Sequence, residues 1–372
     1  MVIEGSRWKE RWELARAHFV QWWDHTGPVL VVTGLRALDR PRDDAPMPDH
    51  PPNPRARNTD PVWFASNERA RLARQALPAD TLPIAHVDYG CVQLAACFGA
   101  EPHFAEDTVW YHECIDEPDT FPPLRLTKTE KWWQVYKAIL MEVVRASQGD
   151  FLIGAPAFGS NLDVLAELRG TQLLLCDLVE RPGWVKEKLE EINAAFFIAF
   201  DDYYEQIKLA DGSSAYAYFH LWGLGKTSQV QCDFAAMISP DMYREFVIPP
   251  LQRQCAWLDH SLFHLDGPNC ISHLDHLLAI EELDAVQWTP GAGQPGAGDP
   301  KWYELYRRIL NAGKSVQILG VSPDEARQIL DTFGGAGVYL SVQGPTGQEL
   351  EALLDLVESL RARPQGVARY TC

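Results

Sequence analysis

The sequence predicts an α/β protein, specifically a (β/α)₈ barrel with an N-terminal helical and loop extension. From about residue 150 to the C-terminus, six short apolar segments alternate with segments of helical character, which is the pattern of a parallel sheet. Two further apolar segments, at 29–33 and 82–87, bring the predicted strands to eight. No GxGxxG motif stands between a strand and a helix, so an open doubly wound sheet is disfavoured.

The first 80 residues predict a helix, a strand and a proline-rich arm. Residues 6–24 carry apolar side chains at helical spacing, and Ser6 is suited to cap that helix. The apolar run VLVVT (29–33) predicts a buried strand. Residues 40–61 predict a long irregular arm of the same domain, because the helix and strand before them are too little to fold alone. We therefore expect one barrel domain over residues 1–372, with residues 1–80 as its extension.

The remaining elements follow in alternation along the chain. The predicted strands are LPIAHV (82–87), FLIGAP (151–156), YAYFHL (216–221), SLFHLD (261–266), AVQWTP (285–290), SVQILG (315–320) and VYLSVQ (338–343). The predicted helices cover 161–180, 182–209, 239–258, 270–280, 301–312, 322–330 and 346–363.

The composition indicates a cytoplasmic protein that binds neither nucleic acid nor membranes. The net charge is −18 and the isoelectric point is near 5.0, which opposes binding to the phosphates of nucleic acids or anionic lipids. No apolar run reaches the roughly 18 residues that span a bilayer, and the N-terminus lacks the apolar core of a signal peptide. The eight cysteines form no CxxC pair, so we expect free thiols.

The stretch FHLDGPNC (263–270) ends a predicted strand and is the main candidate site. In a parallel barrel, catalytic groups lie at the carboxyl ends of the strands. His264 and Asp266 are two residues apart, so both side chains point to the same side of the strand. Such a pair suits a metal site, or an acid–base pair in which Asp266 orients His264. The alternative is structural, because Asp-Gly-Pro is also favourable turn chemistry.

Two other segments offer further candidate groups. His220 ends another predicted strand and is either a catalytic residue that positions substrate or a core histidine with satisfied hydrogen bonds. Asp233 is a second candidate for positioning substrate. Cys232 beside it is a candidate metal ligand, although a lone cysteine is more often a buried small hydrophobe.

Aromatic residues near the predicted strand ends suggest an apolar pocket for an organic ligand. The candidate substrate-binding residues are Trp110, Tyr111, Trp222 and Trp288, together with Gln343 at the end of the last strand. Packing in the core is the alternative role for each tryptophan.

The second half of the chain resembles the uroporphyrinogen decarboxylase superfamily, which includes the decarboxylase and the corrinoid:coenzyme M methyltransferases. The segment PAFGSNLDVLAELRGTQLLLCDLVERPGWVKEKLEEI (156–192) is similar to a helix pair of that family. ISPDMYREFVIPPLQ (238–252) is similar to its SPxxYxEFxxP segment, and SLFHLDGPNC (261–270) to the strand and loop that follow. The resemblance also implies a (β/α)₈ barrel.

The sequence departs from the family at the residues that decide the chemistry. It has no equivalent of the arginine-rich loop with which the decarboxylase holds porphyrin carboxylates, which opposes porphyrin decarboxylation. The methyltransferases bind zinc through His-x-Cys, and here His264-Leu265-Asp266 stands in that place. The resemblance therefore implies a zinc site of His264 and Asp266, completed by Cys232 or His220. Its harder ligands favour activation of an oxygen over activation of a thiol cofactor.

The leading hypothesis is corrinoid-linked methyl transfer on a small organic substrate, with the corrinoid on a partner protein. A metal-free lyase or decarboxylase is the alternative enzyme. A barrel that binds a small molecule without catalysis is the third hypothesis. The tryptophan-rich N-terminal helix predicts either a homodimer surface or a cover for the bottom of the barrel.

Overall fold

The computed structural model describes residues 5–362, and all statements below concern that part of the chain. Its strands are β1 (Val29–Thr33), β2 (Ile84–Ala85), β3 (Pro102–Phe104), β4 (Val109–Tyr111), β5 (Leu152–Ala155), β6 (Ser214–Tyr216), β7 (Leu221–Gly223), β8 (Thr227–Gln231), β9 (His260–Asp266), β10 (Ala285–Thr289), β11 (Ser315–Val321) and β12 (Val338–Gln343).

Helices connect and cover these strands. They are α1 (Trp12–Trp23), α2 (Pro54–Thr59), α3 (Pro61–Arg74), α4 (Leu94–Cys97), α5 (Lys131–Ser147), α6 (Asn161–Arg169), α7 (Thr171–Glu180), α8 (Pro182–Ile207), α9 (Pro240–Met242), α10 (Ile248–Trp257), α11 (Leu274–Leu278), α12 (Tyr303–Asn311), α13 (Pro323–Phe333) and α14 (Gly347–Arg361). Short 3₁₀ helices occupy Asp233–Met237, Pro268–His273 and Pro300–Trp302, and Tyr243–Val247 forms a π-helix.

The strands form one large parallel sheet and two smaller sheets. The large sheet has the order β1-β12-β11-β10-β9-β8, and all its pairs are parallel. A second sheet has the order β2-β5-β6-β7, in which only the β6–β7 pair is antiparallel. Strands β3 and β4 form an antiparallel pair. The protein is thus a mixed α/β fold with a parallel sheet and many helices.

The strand–helix alternation predicted after residue 150 is confirmed in the large sheet. Its strands are buried on both faces, as parallel strands covered by helices require. The helices after β11 and β12 begin at capping boxes, in which Ser322 pairs with Glu325 and Thr346 with Glu349. These reciprocal hydrogen bonds satisfy backbone donors at the first turn and define where each helix starts.

Helix α1 lies across the amino ends of the strands. The indole nitrogen of Trp22 donates to the carbonyl of Gly337, directly before β12, and Trp23 stacks on His260 at the start of β9. Both tryptophans are buried by their own chain. The apolar side of this helix therefore covers the described strands. Ser6 does not cap it, since the helix begins at Trp12 and the Ser6 hydroxyl donates to the carbonyl of Asp150.

Three local predictions differ from the structure. The helix expected over 161–180 is two helices, because Gly170 takes a left-handed φ of 86° that an α-helix does not continue through. The strand expected at 216–221 is replaced by β6, a turn and β7, and the following β8 was not expected. The arm at 40–61 is not wholly irregular, since it contains α2, whose first turn is capped by Asn53.

Two compositional expectations can be compared with the described residues. In residues 5–362, no helix is both long enough and apolar enough to cross a bilayer. The seven cysteines of this part are free thiols, and Cys372 lies outside it.

Candidate metal centre

Three side chains converge at the carboxyl end of β9. His264 and Asp266 project from the same face of that strand, as their spacing predicted. Asp233 joins them from the first residue of the 3₁₀ helix that follows β8, the neighbouring strand. One ligand atom from each of the three residues lies within 4.8 Å of the others. Because parallel strands deliver their carboxyl ends to one edge, residues distant in sequence meet here.

His264 is held in one orientation by the next strand. It lies beside Gln287 in the β9–β10 register, and its Nδ1 is hydrogen-bonded to Oε1 of Gln287. Its Nε2 faces Asp233, with 4.0 Å between Nε2 and Oδ1. The ring packs against Phe219, with 5.0 Å between ring centroids. Burial lowers the pKa of His264, which favours a neutral imidazole, the form that binds metals.

Asp163 on α6 fixes the turn that carries Asp233. Its buried carboxylate accepts hydrogen bonds from the backbone nitrogens of Asp233 (3.0 Å) and Phe234 (2.9 Å). It also accepts from the Gln231 side chain at 3.1 Å, and the same amide nitrogen of Gln231 donates to Asp233 at 3.0 Å. One carboxylate therefore positions both the backbone and the side chain of Asp233.

The electrostatics of the cluster fit a bound cation. Burial, followed by the nearby carboxylates of Asp163 and Asp266, raises the pKa of Asp233 to about 8. Burial also raises the pKa of Asp163. Like charges at this separation repel one another, and a divalent cation offsets that repulsion. An imidazole nitrogen and carboxylate oxygens are donors that zinc and several other divalent metals accept, so the residues present fit such an ion.

Cys232 is not brought into this group of ligands. It is fully buried directly before Asp233, and burial raises the pKa of its thiol well above the ordinary value. A metal ligand must be a thiolate, which this environment disfavours. The donor set formed by the described residues is therefore one nitrogen and carboxylate oxygens, without the sulfur ligand that the sequence suggested.

His220 lies in the turn between β6 and β7, directly after Phe219, and does not join the three ligands of the cluster. Its Nε2 accepts a hydrogen bond from the backbone nitrogen of Leu82, two residues before β2, at 2.9 Å. Its carbonyl accepts from the hydroxyl of Tyr339 near the start of β12. Burial lowers the pKa of His220 to about 3, so the ring stays neutral. The arrangement matches the alternative role of a structural histidine with satisfied hydrogen bonds.

This placement predicts a pH-dependent stability contribution. In the unfolded chain His220 protonates below its ordinary pKa of 6.5, whereas in the folded protein it stays neutral down to about 3. The folded state therefore loses stability as pH falls through that window, by roughly 2 kcal/mol between pH 6.5 and about pH 4.5. Denaturant unfolding of His220→Gln, which keeps an acceptor but does not titrate, should show a correspondingly flatter acid dependence. An identical pH profile in both proteins would contradict this role.

The aromatic candidates do not form a common pocket wall. Trp222 is 0% exposed and packs edge-on against Trp12 and Phe19, beneath α1. Trp288 is also fully buried and packs against Trp302. In β10 it is adjacent to Gln287, so it points to the opposite face from the cluster. Both tryptophans are core residues.

The other three candidate binding residues lie apart from one another. Trp110 on the β3–β4 hairpin is 46% exposed and stacks on His103, with ring centroids 5.0 Å apart. Tyr111 is buried, and its hydroxyl donates to the carbonyl of Cys91 at 2.8 Å. Gln343 is exposed at the end of β12, paired with Thr33 of β1. Their role in binding a substrate stays a prediction.

Sequence reasoning missed three residues that support the centre: Asp163, Gln231 and Gln287. Each is polar and lies in a segment that is otherwise largely buried. A glutamine inside a short apolar strand is the signal that marks Gln287, because an amide is seldom buried without a partner. Asp163 carried no comparable signal, since its partners are about 70 residues further along the chain.

Comparisons with known proteins add a likeness of fold. No protein-family model matches the chain. None of the curated proteins matches it either. Among solved structures, the chain is similar to a methyltransferase from Methanosarcina mazei, with a TM-score of 0.60 over 94% of this chain and 99% of the other. The two sequences are 13% identical, so this likeness shows a shared overall fold.

Proposed function

We propose that the protein is a metal-dependent enzyme that transfers a methyl group at the cluster of Asp233, His264 and Asp266. The observation that carries the proposal is the convergence of these three ligand atoms within 4.8 Å at the carboxyl end of β9. Carboxyl ends of parallel strands are where enzymes of this architecture place their chemistry. Zinc is the proposed ion, bound by one nitrogen and carboxylate oxygens.

The proposal includes closure of the two sheets into one (β/α)₈-type barrel within a single domain. At one edge, the backbone nitrogen of Thr227 in β8 donates to the hydroxyl of Ser214 in β6 at 3.1 Å. At the other edge, Val32 of β1 donates to the hydroxyl of Thr81, shortly before β2, at 2.9 Å. Hydrogen bonds thus join the sheets at both edges, which supports a closed arrangement.

The roles of the chain's own residues follow from their contacts. His264 would bind the ion through Nε2, because Gln287 occupies Nδ1. Asp233 and Asp266 would supply oxygen ligands, and Asp163 keeps Asp233 in place. A divalent ion with such ligands acts as a Lewis acid and makes a bound oxygen more nucleophilic at neutral pH. The acceptor of the methyl group is therefore proposed to be an oxygen nucleophile on a small molecule.

The methyl donor is proposed to be a methylcorrinoid carried by a separate protein. The fold shared with the Methanosarcina mazei methyltransferase supports methyl transfer. The sequence resemblance around residues 238–270 is to a superfamily that holds both methyltransferases and a decarboxylase. Neither observation identifies the methyl donor that this protein uses, so the identity of the donor is tested first.

A metal-free lyase is the second candidate function. The observation that favours it is the raised pKa of Asp233, about 8, in a side chain that remains 45% exposed. Below that pH the carboxyl group keeps its proton and is suited to protonate a carbanion left by decarboxylation. The two functions differ in whether the cluster holds a metal.

Metal analysis of the purified native protein tests the proposal. We expect one divalent ion per chain, loss of the ion on dialysis against a chelator, and its return on adding zinc. Methylcobalamin is then offered together with a thiol, an amine or a hydroxyl compound as acceptor, and its demethylation is monitored by visible absorbance. We expect demethylation only with the metal-loaded protein. Failure to retain or take up metal would sink the metalloenzyme and favour the lyase. If the metal-loaded protein demethylates methylcobalamin with none of these acceptors, the proposed methyl transfer is contradicted.

A further inference from the structure

A cavity lies at the amino ends of the strands, away from the candidate metal centre. It has a volume of about 330 Å³, within the range of small-molecule sites. Residues before and within α1, the segment before β2, and α14 enclose it. Leu30 near the start of β1 and Asp80 before β2 place it at the opposite ends of the strands from Asp266.

Positive charge in this cavity exceeds its negative charge. Lys9, Arg11 and Arg42 line the cavity, and none of them forms an ion pair with a carboxylate among residues 5–362. Of the acidic residues that line it, Asp80 and Glu358 are already paired with Arg361. The third acid of the cavity, Glu10, lies on the exposed side. With Arg361 included, four cationic side chains face three carboxylates, so the lining carries one net positive charge.

The cations keep unused hydrogen-bond donors. The Lys9 ammonium donates to the carbonyls of Leu77 (2.9 Å) and Ala79 (2.6 Å), which leaves one of its three N–H groups free. Arg42 donates through one terminal nitrogen only, to the carbonyls of Leu72 and Gln75. Its remaining N–H groups have no partner among the described residues. Lys9 and Arg42 are therefore each held in place by backbone carbonyls and still have N–H groups free to donate to a ligand.

Arg361 beside the cavity keeps one unsatisfied donor, although its terminal nitrogens already pair with Asp80 and Glu358. Its side chain is only 9% exposed, yet the buried Nε has no hydrogen-bond partner. An unsatisfied donor on a charged, buried group is costly and rare in folded proteins. Burial lowers the pKa of Lys9 to about 8; the carboxylate of Asp80 opposes this shift, and Arg11 and Arg42 add to it.

The rest of the lining is apolar. Trp8, Leu14, Leu77 and Leu354 form walls of the same cavity. A bare inorganic ion uses none of that surface, whereas an organic anion uses both the donors and the apolar walls.

We propose that this cavity is a binding site for a small organic anion, a carboxylate on an apolar body, held by Lys9 and Arg42. The carboxylate accepts the free N–H groups, and the apolar body lies against Leu14, Leu77 and Leu354. The site is separate from the metal centre and does not depend on the proposed methyl transfer.

Calorimetric titration of the full-length protein with benzoate tests the proposal, with benzamide and inorganic phosphate as comparison probes. We expect saturable binding of benzoate, no binding of the uncharged benzamide, and weaker binding of phosphate. Arg42→Gln should weaken benzoate binding at least about tenfold, the effect of losing one charge-assisted hydrogen bond. Arg11→Gln, an exposed change that leaves the core intact, should weaken it less.

Arg74→Gln is the matched control, because Arg74 also donates to carbonyls beside α3 but does not line this cavity. It should leave benzoate binding unchanged, as should His264→Ala. Absence of saturable benzoate binding, or equal binding by wild type, Arg42→Gln and Arg11→Gln, would overturn the site. Benzoate binding that is lost only in His264→Ala would overturn it too, by assigning the anion to the metal centre. Phosphate binding as tight as benzoate binding would overturn the apolar part of the proposal.

Discussion

Replacing His264 with alanine is expected to weaken zinc binding by at least about a hundredfold. His264 is the only nitrogen donor of the cluster, and the two carboxylates that remain already repel each other. Residues that merely support a metal ligand change affinity about 10- to 100-fold, so a direct ligand should matter more. Zinc affinity measured by competition with a chromophoric chelator checks this expectation.

Two further substitutions complete the test of His264. Gln287→Ala removes only the partner of Nδ1, so we expect an intermediate loss of about tenfold. His103→Ala is the control, since His103 stacks on Trp110 away from the cluster and should leave zinc affinity unchanged. Unchanged zinc affinity in His264→Ala would place the ion elsewhere and remove the basis of the proposed function.

Replacing Trp222 with alanine is expected to lower the free energy of unfolding by about 3–5 kcal/mol. The indole is fully buried against Trp12 and Phe19, and the guanidinium of Arg16 lies 5.2 Å from its ring centroid. Removing the ring leaves a cavity under α1 that the surrounding side chains cannot fill without moving. Denaturant unfolding monitored by far-UV circular dichroism measures the loss.

Trp110→Ala provides the matched comparison for Trp222. Trp110 is 46% exposed, so the same substitution should cost less than about 1 kcal/mol. If Trp222 instead bound a ligand, Trp222→Ala would change the free energy of unfolding only slightly and would change substrate affinity strongly. Equal denaturation midpoints for Trp222→Ala and the wild type would contradict the core assignment.

The sequence was sufficient to predict the structure where a local pattern of apolar and polar residues repeats. Alternation of apolar strands and helices after residue 150 predicted β9 to β12 of the large parallel sheet, and the spacing of His264 and Asp266 predicted that both side chains lie on one face of β9. The carboxyl end of a parallel strand is a position that chain order alone can identify.

The sequence was insufficient to predict the direction of a side chain where a shift of one residue along the strand reverses it. It was also insufficient where a side chain is held by partners far away in the chain. Trp288 and Gln287 are adjacent, so a strand without polar alternation does not say which of them faces the site. The run 216–221 is as aromatic as a strand, but the chain turns there, and His220 takes a left-handed φ of 56°. The link between Asp163 and Asp233 joins α6 to the turn after β8, which only the folded structure shows.

The amide of Gln287 has a consequence for how the proposed ion would enter the candidate centre. Its Nε2 donates to the hydroxyl of Thr289 at 3.0 Å, so only its oxygen is available to His264. That oxygen selects the tautomer with hydrogen on Nδ1 and leaves the lone pair of Nε2 directed towards the carboxylates. A lone pair facing negative oxygens is satisfied only by a shared proton or by a cation. Loading of the proposed ion would therefore be an exchange in which a proton leaves as the metal enters, and acidity in the surrounding solution would compete directly with the metal.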